Sequence, residues 1–251
     1  MTRVAILTYH AIDSSGSVLS VSPGEFRAHV EAVAQSGRPV VSPSRLAAGF
    51  GADPPVADGS FAFTFDDGYA SVGEHAAPLL ESFGFPYAIF VVTSWAGRTS
   101  DWPSEPAWVR RAPLLDWRQL EKLAASGAEI GSHTSDHPDL SRSPEFLVRE
   151  QIEESRAEIE RRLGFAPRLF AYPRGRSRES ARRIAAERFA ACFGTRHARM
   201  RDADDRADIP RVESFYFREP RAFRRLFSPA VDARLGARRI LRRIRRLRPL
   251  G

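Results

Sequence analysis

Two aspartates and two histidines follow two predicted strands, and their types and spacing suit metal chemistry. Asp66 and Asp67 end the stretch FAFTFDDG, and His133 and His137 lie four residues apart in GSHTSDH. Adjacent carboxylates at a strand end repel each other and lose hydration, so a nearby cation would stabilise them. Two neutral imidazoles at this spacing can bind one divalent cation. The alternatives are an ordinary Asp-Gly turn and a pair of surface histidines.

One carboxylate and two imidazoles are the donor set of many catalytic zinc centres, which keep open positions for water and substrate. The same set also binds non-haem iron. The extra carboxylate, Asp66, favours hydrolysis, because a hydrolase needs a base beside the attacking water.

Two further stretches end predicted strands with residues suited to catalysis. In FAYPRG, Pro173 and Gly175 fix an irregular loop whose backbone N–H groups can face a developing oxyanion. A plain strand-to-helix turn explains these residues equally well. His10, directly after Tyr9, would face the mouth of a barrel, although a lone histidine is more often a packed or capping residue.

Short apolar runs alternate with amphipathic segments along most of the chain, and these elements must position the four stretches. The predicted strands are Val4–Tyr9, Pro39–Val41, Ser60–Phe65, Tyr87–Thr93, Glu129–Ser132, Leu169–Tyr172 and Ala191–Thr195. The predicted helices are Glu25–Gln35, Ala76–Phe83, Leu120–Ser126, Pro144–Leu163 and Ser177–Phe189. This β-α repetition predicts an α/β fold, either a (β/α) barrel or, as the alternative, an open doubly wound sheet.

The composition, 43% hydrophobic and 27% charged, excludes a disordered chain and a membrane protein. The single cysteine, Cys192, excludes an intrachain disulfide framework and a cysteine-rich zinc module. No apolar run reaches the roughly 18 residues that span a bilayer. Because the stretch MTRVAILTYHAI lacks a long apolar segment, we interpret it as a first strand rather than a signal peptide and expect a cytoplasmic protein.

The net charge of +7 is unevenly distributed along the chain. Residues 221–251 hold eleven arginines and one acid, Asp232, so this tail carries +10 and the other 220 residues carry −3. Within the tail, residues 234–248 read RLGARRILRRIRRLR, which predicts a short basic amphipathic helix suited to the anionic inner face of a membrane. Nucleic acid is a weaker interpretation, and a solvated terminus is the alternative.

All four tryptophans lie within 23 residues, three of them in the long predicted loop 94–113. Their rings can stack on sugars, which predicts glycan binding, but the same rings can simply pack the loop onto the barrel. Trp117 opens the next helix, and we interpret it as structural.

The stretches FTFDDG, SHTSDH and FAYPRG, in this order and spacing, resemble the NodB-type polysaccharide deacetylases of carbohydrate esterase family 4. The early YHAI stretch and FAYP are similar to the subgroup of poly-N-acetylglucosamine deacetylases. The resemblance implies a distorted (β/α)7 barrel over residues 1–220, before the basic tail 221–251. It also implies a divalent metal, usually Zn²⁺, with Co²⁺, Ni²⁺ or Fe²⁺ as alternatives.

The resemblance further implies a role for each matched residue. Asp67, His133 and His137 would bind the metal, and Asp66 would be the general base. The backbone N–H of Arg174 would help to form an oxyanion hole.

Three positions depart from the family's pattern. No late Leu-x-His motif supplies a general acid, since no histidine follows His197, and His10 matches the acid of the matrix-deacetylase subgroup. Ala171 stands where many relatives have an arginine that orients the base, and Arg211 is the candidate replacement, unless it is a surface or salt-bridged arginine. Arg174 stands in place of a tyrosine, and its guanidinium would favour an anionic substrate.

We therefore expect a metal-dependent N-deacetylase of N-acetylated amino sugars in a polysaccharide, oligosaccharide or glycolipid, serving exopolysaccharide or cell-envelope glycan synthesis. Its partners would be that glycan or glycolipid and, through residues 234–248, an anionic membrane surface. The alternatives are hydrolysis of another amide or a cyclic imide at the same site, and a catalytically inactive barrel tethered by its tail.

Overall fold

Seven parallel strands form a closed barrel in the computed structural model, which describes residues 3–48, 55–103, 109–228, 230–233 and 235–237. We number them β1 (Arg3–Tyr9), β2 (Phe61–Phe65), β3 (Tyr87–Val91), β4 (Glu129–Ser132), β5 (Leu169–Ala171), β6 (Ala191–His197) and β7 (Ile209–Glu213). Each strand pairs in parallel with the next, and β7 pairs with β1 to close the ring. The predicted (β/α)7 barrel is thereby confirmed, and the open sheet is excluded.

The register of the strands brings their carboxyl ends to one rim of the barrel. Tyr9 of β1 lies opposite Phe65 of β2, and the N–H of Asp66 donates to the carbonyl of Tyr9 across 2.9 Å. Thr8 lies opposite Glu213, the last residue of β7. The residues that follow β1, β2 and β7 therefore meet at the rim where barrel enzymes carry their active sites.

The helices are α1 (Pro23–Gln35), α2 (Pro43–Ala47), α3 (Ala77–Ser82), α4 (Trp117–Ala125), α5 (Glu145–Leu163), α6 (Glu179–Ala186) and α7 (Pro220–Phe223). A capping box between Ser22 and Glu25 begins α1, and Gly164, at φ 78°, ends α5 in the left-handed conformation that favours glycine. A π-helical turn precedes α3, and Ala11–Ile12, Ser20–Val21 and Met200–Arg201 are short additional strands. Among the described helices, none combines the length and the apolar character that crossing a membrane requires.

Both faces of the barrel strands are buried. One set of alternating residues, including Ile6, Phe90 and Phe193, forms a cluster within the barrel. The other set, including Leu7 and Phe63, packs with residues of the surrounding helices. Continuous apolar strands are expected where helices cover a parallel sheet, and they give the rim a rigid support.

The strands predicted from the sequence differ from the structure at two places. Pro39–Val41 was expected to be a strand, but only an isolated bridge between Val40 and Phe61 forms there. The seventh strand, Ile209–Glu213, was missed because Pro210 and Arg211 interrupt its apolar pattern. Its pairing with both β1 and β6, and not its composition, makes this segment a strand.

Residues beyond position 220 pack onto the barrel. Phe223, Leu226 and Val231 are buried in the larger core cluster, and Asp232 accepts two hydrogen bonds from Arg199, each of 2.8 Å. The division of the chain at residue 220 stays a prediction, but packing extends past it. The predicted amphipathic helix 234–248 lies outside the described residues except for 235–237, and so does Trp108.

Candidate metal centre and active site

Asp67, His133 and His137 converge at the carboxyl ends of β2 and β4. One carboxylate oxygen of Asp67 lies 3.3 Å from Nε2 of His133 and 3.5 Å from Nε2 of His137. One donor atom from each residue lies within 4.8 Å of the others, and all three residues are buried. This donor set fits a divalent cation of the zinc type and also suits non-haem iron.

Left-handed backbone conformations mark the loops of this site. Asp67, Thr134, His137 and Arg174 have φ between 57° and 71°, and they are the only non-glycine residues with positive φ in the described ranges. Each such residue costs of order 1–3 kcal/mol and persists where the surrounding structure enforces it, commonly at functional sites. The strain therefore falls on two of the predicted metal ligands, Asp67 and His137, and on the predicted oxyanion loop.

Neighbouring groups orient both imidazoles. Nδ1 of His133 donates to the carbonyl of Ala171 across 2.8 Å, which leaves the lone pair of Nε2 directed towards Asp67. The indole of Trp102, 1% exposed, packs on the His137 ring with 4.6 Å between ring centroids. Trp95 meets Trp102 edge-on at 6.1 Å. Of the two interpretations of the tryptophan loop, packing therefore applies to Trp102.

The surroundings of His137 and Asp67 favour the protonation states that bind a cation. Burial lowers the pKa of His137 to about 3, so its imidazole is neutral. Burial alone opposes ionisation of Asp67, but the neighbouring side chains of His133, His137 and His10 together hold its pKa well below the usual range. An ionised carboxylate and a neutral imidazole are what a metal site requires.

The structure places Arg211 on Asp66, as the sequence-based prediction requires. Two nitrogens of its guanidinium donate to the two oxygens of Asp66, each across 2.7 Å. Arg211 is only 1% exposed and also donates to the carbonyl of Gly194 and to the hydroxyl of Thr64. Burial opposes ionisation of Asp66, but the Arg211 cation, which also donates both hydrogen bonds, keeps its pKa below the ordinary value. Asp66 is thus an oriented, ionised carboxylate beside the metal ligands.

His10 lies at the same rim, and Glu213 is its partner. Nδ1 of His10 is 3.7 Å from a carboxylate oxygen of Glu213. Burial alone would lower the pKa of His10, but Glu213, Asp67 and Asp66 together raise it above the ordinary value. The sequence-based reasoning missed Glu213, although it lies two residues after Arg211 and hence on the same face of β7.

Arg174 lies in the turn Pro173–Gly175 that follows β5. Burial is the main cause of the low pKa of His137, and the Arg174 cation adds to it. The hydroxyl of Thr195 donates to the Arg174 carbonyl across 3.4 Å. The proposed contact of the Arg174 N–H with an oxyanion stays a prediction.

The sequence matches the model of the polysaccharide deacetylase family over residues 53–188, which is more than half of the chain. The chain therefore belongs to the polysaccharide deacetylase family, whose members are hydrolases acting on acetylated sugars. The matched range contains the three metal-centre residues, Asp66 and Arg174, whereas His10 and Arg211 lie outside it.

Relatives of known structure share the fold. PplD, a deacetylase of Streptococcus pyogenes solved in complex with acetate, is 20% identical with a TM-score of 0.78, covering 91% of this chain and 99% of PplD. IcaB from Ammonifex degensii is 24% identical with a TM-score of 0.75, covering 89% of this chain and 98% of IcaB. The Bacillus subtilis (strain 168) protein YxkH is 26% identical over 183 residues, 73% of this chain. The chain spans 61% of the length of YxkH.

Proposed function

We propose that the protein is a metal-dependent N-deacetylase that removes acetyl groups from N-acetylated amino sugars in a polysaccharide, oligosaccharide or glycolipid. The observation that carries this proposal is the buried Asp67–His133–His137 cluster with the paired carboxylate of Asp66 beside it. Membership of the polysaccharide deacetylase family supports the reaction type.

Asp67, His133 and His137 would hold the metal, and Zn²⁺ suits this set best, with Co²⁺, Ni²⁺ or Fe²⁺ as alternatives. When bound, a divalent cation supplies a Lewis acid that polarises the acetyl carbonyl and lowers the pKa of water. Asp66 takes a proton from the water that attacks the acetyl carbon. Arg211 fixes both oxygens of Asp66 during this transfer.

The remaining groups act on the products of the attack. The backbone N–H of Arg174 donates to the carbonyl oxygen as negative charge develops there. His10, whose pKa the nearby Glu213 carboxylate raises, donates a proton to the sugar nitrogen as the C–N bond breaks. Acetate and a free amino sugar result, and the proton on Asp66 returns to solvent or to His10.

Acetate release from chitooligosaccharides by the zinc-loaded protein tests this proposal. Asp66→Asn should lower turnover by about 10²- to 10⁴-fold while zinc stays bound, because only the base is lost. Asp101→Asn, an exposed carboxylate, is the matched control and should change neither quantity. Full activity of Asp66→Asn would contradict its role as the base. No acetate release by the zinc-loaded wild type would contradict the glycan substrate and favour another amide or a cyclic imide.

We also propose that the protein is cytoplasmic, contacts the anionic inner face of the membrane through residues 234–248, and serves exopolysaccharide or cell-envelope glycan synthesis. The concentration of eleven arginines against one acid in residues 221–251 supports the membrane contact. Anionic vesicles should co-sediment the full chain more strongly than a chain ending at residue 237. Equal sedimentation of both would contradict the proposal.

A further inference from the structure

One edge of the Arg174 guanidinium is buried without a partner. Within the described part of the chain, Nε and Nη2 of Arg174 have no hydrogen-bond partner and are shielded from solvent. Arg176, two residues along the same loop, donates to Asp139 across 3.2 Å. A charged donor that is shielded from water and unpaired is costly, so this edge of Arg174 lacks an acceptor.

The unpaired edge of Arg174 is the same edge through which Arg199 binds a carboxylate in this protein. Nε and Nη2 of Arg199 each donate to one oxygen of Asp232 across 2.8 Å. This fork geometry matches the two oxygens of a carboxylate or a phosphate, and it is a property of arginine that lysine does not share. Arg174 as a whole is only partly buried, so rotation of its side chain can present the fork to a ligand.

The net charge of the site also favours an anionic ligand. Without counting any histidine, the site holds three carboxylates and two guanidinium groups, so a bound divalent metal ion leaves an excess of one positive charge. The carboxylates are Asp66, Asp67 and Glu213, and the guanidinium groups are those of Arg174 and Arg211. A neutral N-acetylated sugar would leave this excess uncompensated, whereas an acidic one would offset it.

We propose that the Arg174 guanidinium is an anion-recognition group, and that the preferred substrate is an acidic glycan with a carboxylate or phosphate on or next to the N-acetylated sugar. This inference rests on the proposed deacetylase function and specifies its substrate class. Uronic acids and sugar phosphates are the two sources of such an anion.

Kinetics with three N-acetylated substrates test the proposal. Chitotetraose is neutral, a hyaluronan tetrasaccharide carries carboxylates, and N-acetylglucosamine 6-phosphate carries a phosphate. The zinc-loaded wild type should show a higher kcat/KM on one or both anionic substrates than on the neutral one. In Arg174→Gln, the ratio of anionic to neutral kcat/KM should fall about 10- to 100-fold, mostly through KM. Arg174→Lys should recover only part of that ratio.

Arg176→Gln is the matched control, because it removes the same charge from the same loop where a partner, Asp139, already exists. It should leave the ratio unchanged. An equal loss on all three substrates in Arg174→Gln would contradict the proposal, since it would place the guanidinium on the reacting carbonyl. Equal efficiency of the wild type on neutral and anionic substrates would contradict it as well.

Binding separates this inference from the deacetylase function. Calorimetry with N-acetylglucosamine 6-phosphate should show about 10-fold weaker binding to zinc-loaded Arg174→Gln than to the wild type, with glucosamine 6-phosphate and N-acetylglucosamine for comparison. Such a difference without turnover of any substrate would overturn the deacetylase function and keep the anion site. Equal binding by the folded variant and the wild type would overturn the anion site, even if deacetylation proceeds.

Discussion

Asp66 and Arg211 form a buried ion pair. A substitution that keeps only the size or only the charge of either residue would lose the geometry of this pair. The two parallel 2.7 Å bonds fix the direction of the carboxylate, and a single ammonium cannot reproduce them. Buried pairs of this kind contribute little net stability when intact, but breaking one leaves a buried charge without compensation. The pair therefore fixes the orientation of the Asp66 carboxylate and lowers its pKa, as the proposed role of Asp66 as the base requires.

Arg211→Lys should keep the fold and the bound zinc but lower kcat by about 10- to 100-fold. The lysine keeps the positive charge, but it cannot donate two parallel hydrogen bonds to Asp66. Arg211→Met should destabilise the protein by about 3–5 kcal/mol, since Asp66 is then buried and unpaired. Turnover assays, zinc analysis and urea unfolding measure these effects. Wild-type kcat in Arg211→Lys would show that Arg211 is structural only.

The pair of His10 and Glu213 predicts the alkaline side of the pH–rate profile. Glu213 raises the pKa of His10, and the protonated imidazole is the form that donates the proton. In Glu213→Gln the pKa of His10 should fall, so activity is lost at a lower pH than in the wild type. The measurement is kcat/KM against pH, with Glu219→Gln, an exposed carboxylate, as the control. An alkaline limb that does not move in Glu213→Gln would remove His10 as the acid.

Strand ends made most of the site predictable from the sequence. Asp66, Asp67, His133 and His137 follow apolar runs that become strands, and parallel strands must bring such positions to one rim. The seventh strand and Glu213 were not predicted, because pairing with β1 and β6 overrides the interruption by Pro210. The unpaired edge of Arg174 depends on loop packing and has no sequence signature.

Trp102, in the loop that follows β3, packs on His137 of the candidate metal centre. Trp102→Ala should destabilise the protein by about 3–5 kcal/mol and weaken zinc binding by about 10- to 100-fold, because the His137 ring loses its packing. Trp117→Ala, a partly buried tryptophan on α4, is the control and should leave zinc affinity unchanged. Thermal melting and competition with a zinc chelator measure both effects. Unchanged zinc affinity in Trp102→Ala would show that this tryptophan contributes to packing of the core and not to zinc binding.

Asp232 holds the C-terminal segment at the end of the barrel opposite the candidate active site. It accepts two bonds from Arg199, and it pairs with Arg3, the first residue of β1, across 2.6 Å. Its bond to Arg199 is the main cause that lowers its pKa. The described part of the C-terminal segment is therefore anchored on the face opposite His10 and Asp66.

Asp232→Asn should destabilise the protein by about 1–3 kcal/mol at neutral pH, because the charge-assisted bonds are lost. Since folding lowers the pKa of Asp232, its contribution is present above the unfolded-state pKa and disappears as the pH falls through the lower folded-state value. Urea unfolding at neutral and acidic pH should show a difference between the variant and the wild type that shrinks in acid. A difference that grows in acid would contradict this assignment.

The metal content of the purified protein tests the central claim most directly, with Asp67→Ala, His133→Ala and Asp66→Asn measured in parallel. The account predicts about one zinc per wild-type chain. It predicts loss of that zinc in Asp67→Ala and His133→Ala, and its retention in Asp66→Asn, whose carboxylate faces Arg211. A wild-type chain that binds neither zinc nor cobalt, or zinc retained by folded Asp67→Ala, would contradict the metal centre and the reaction derived from it.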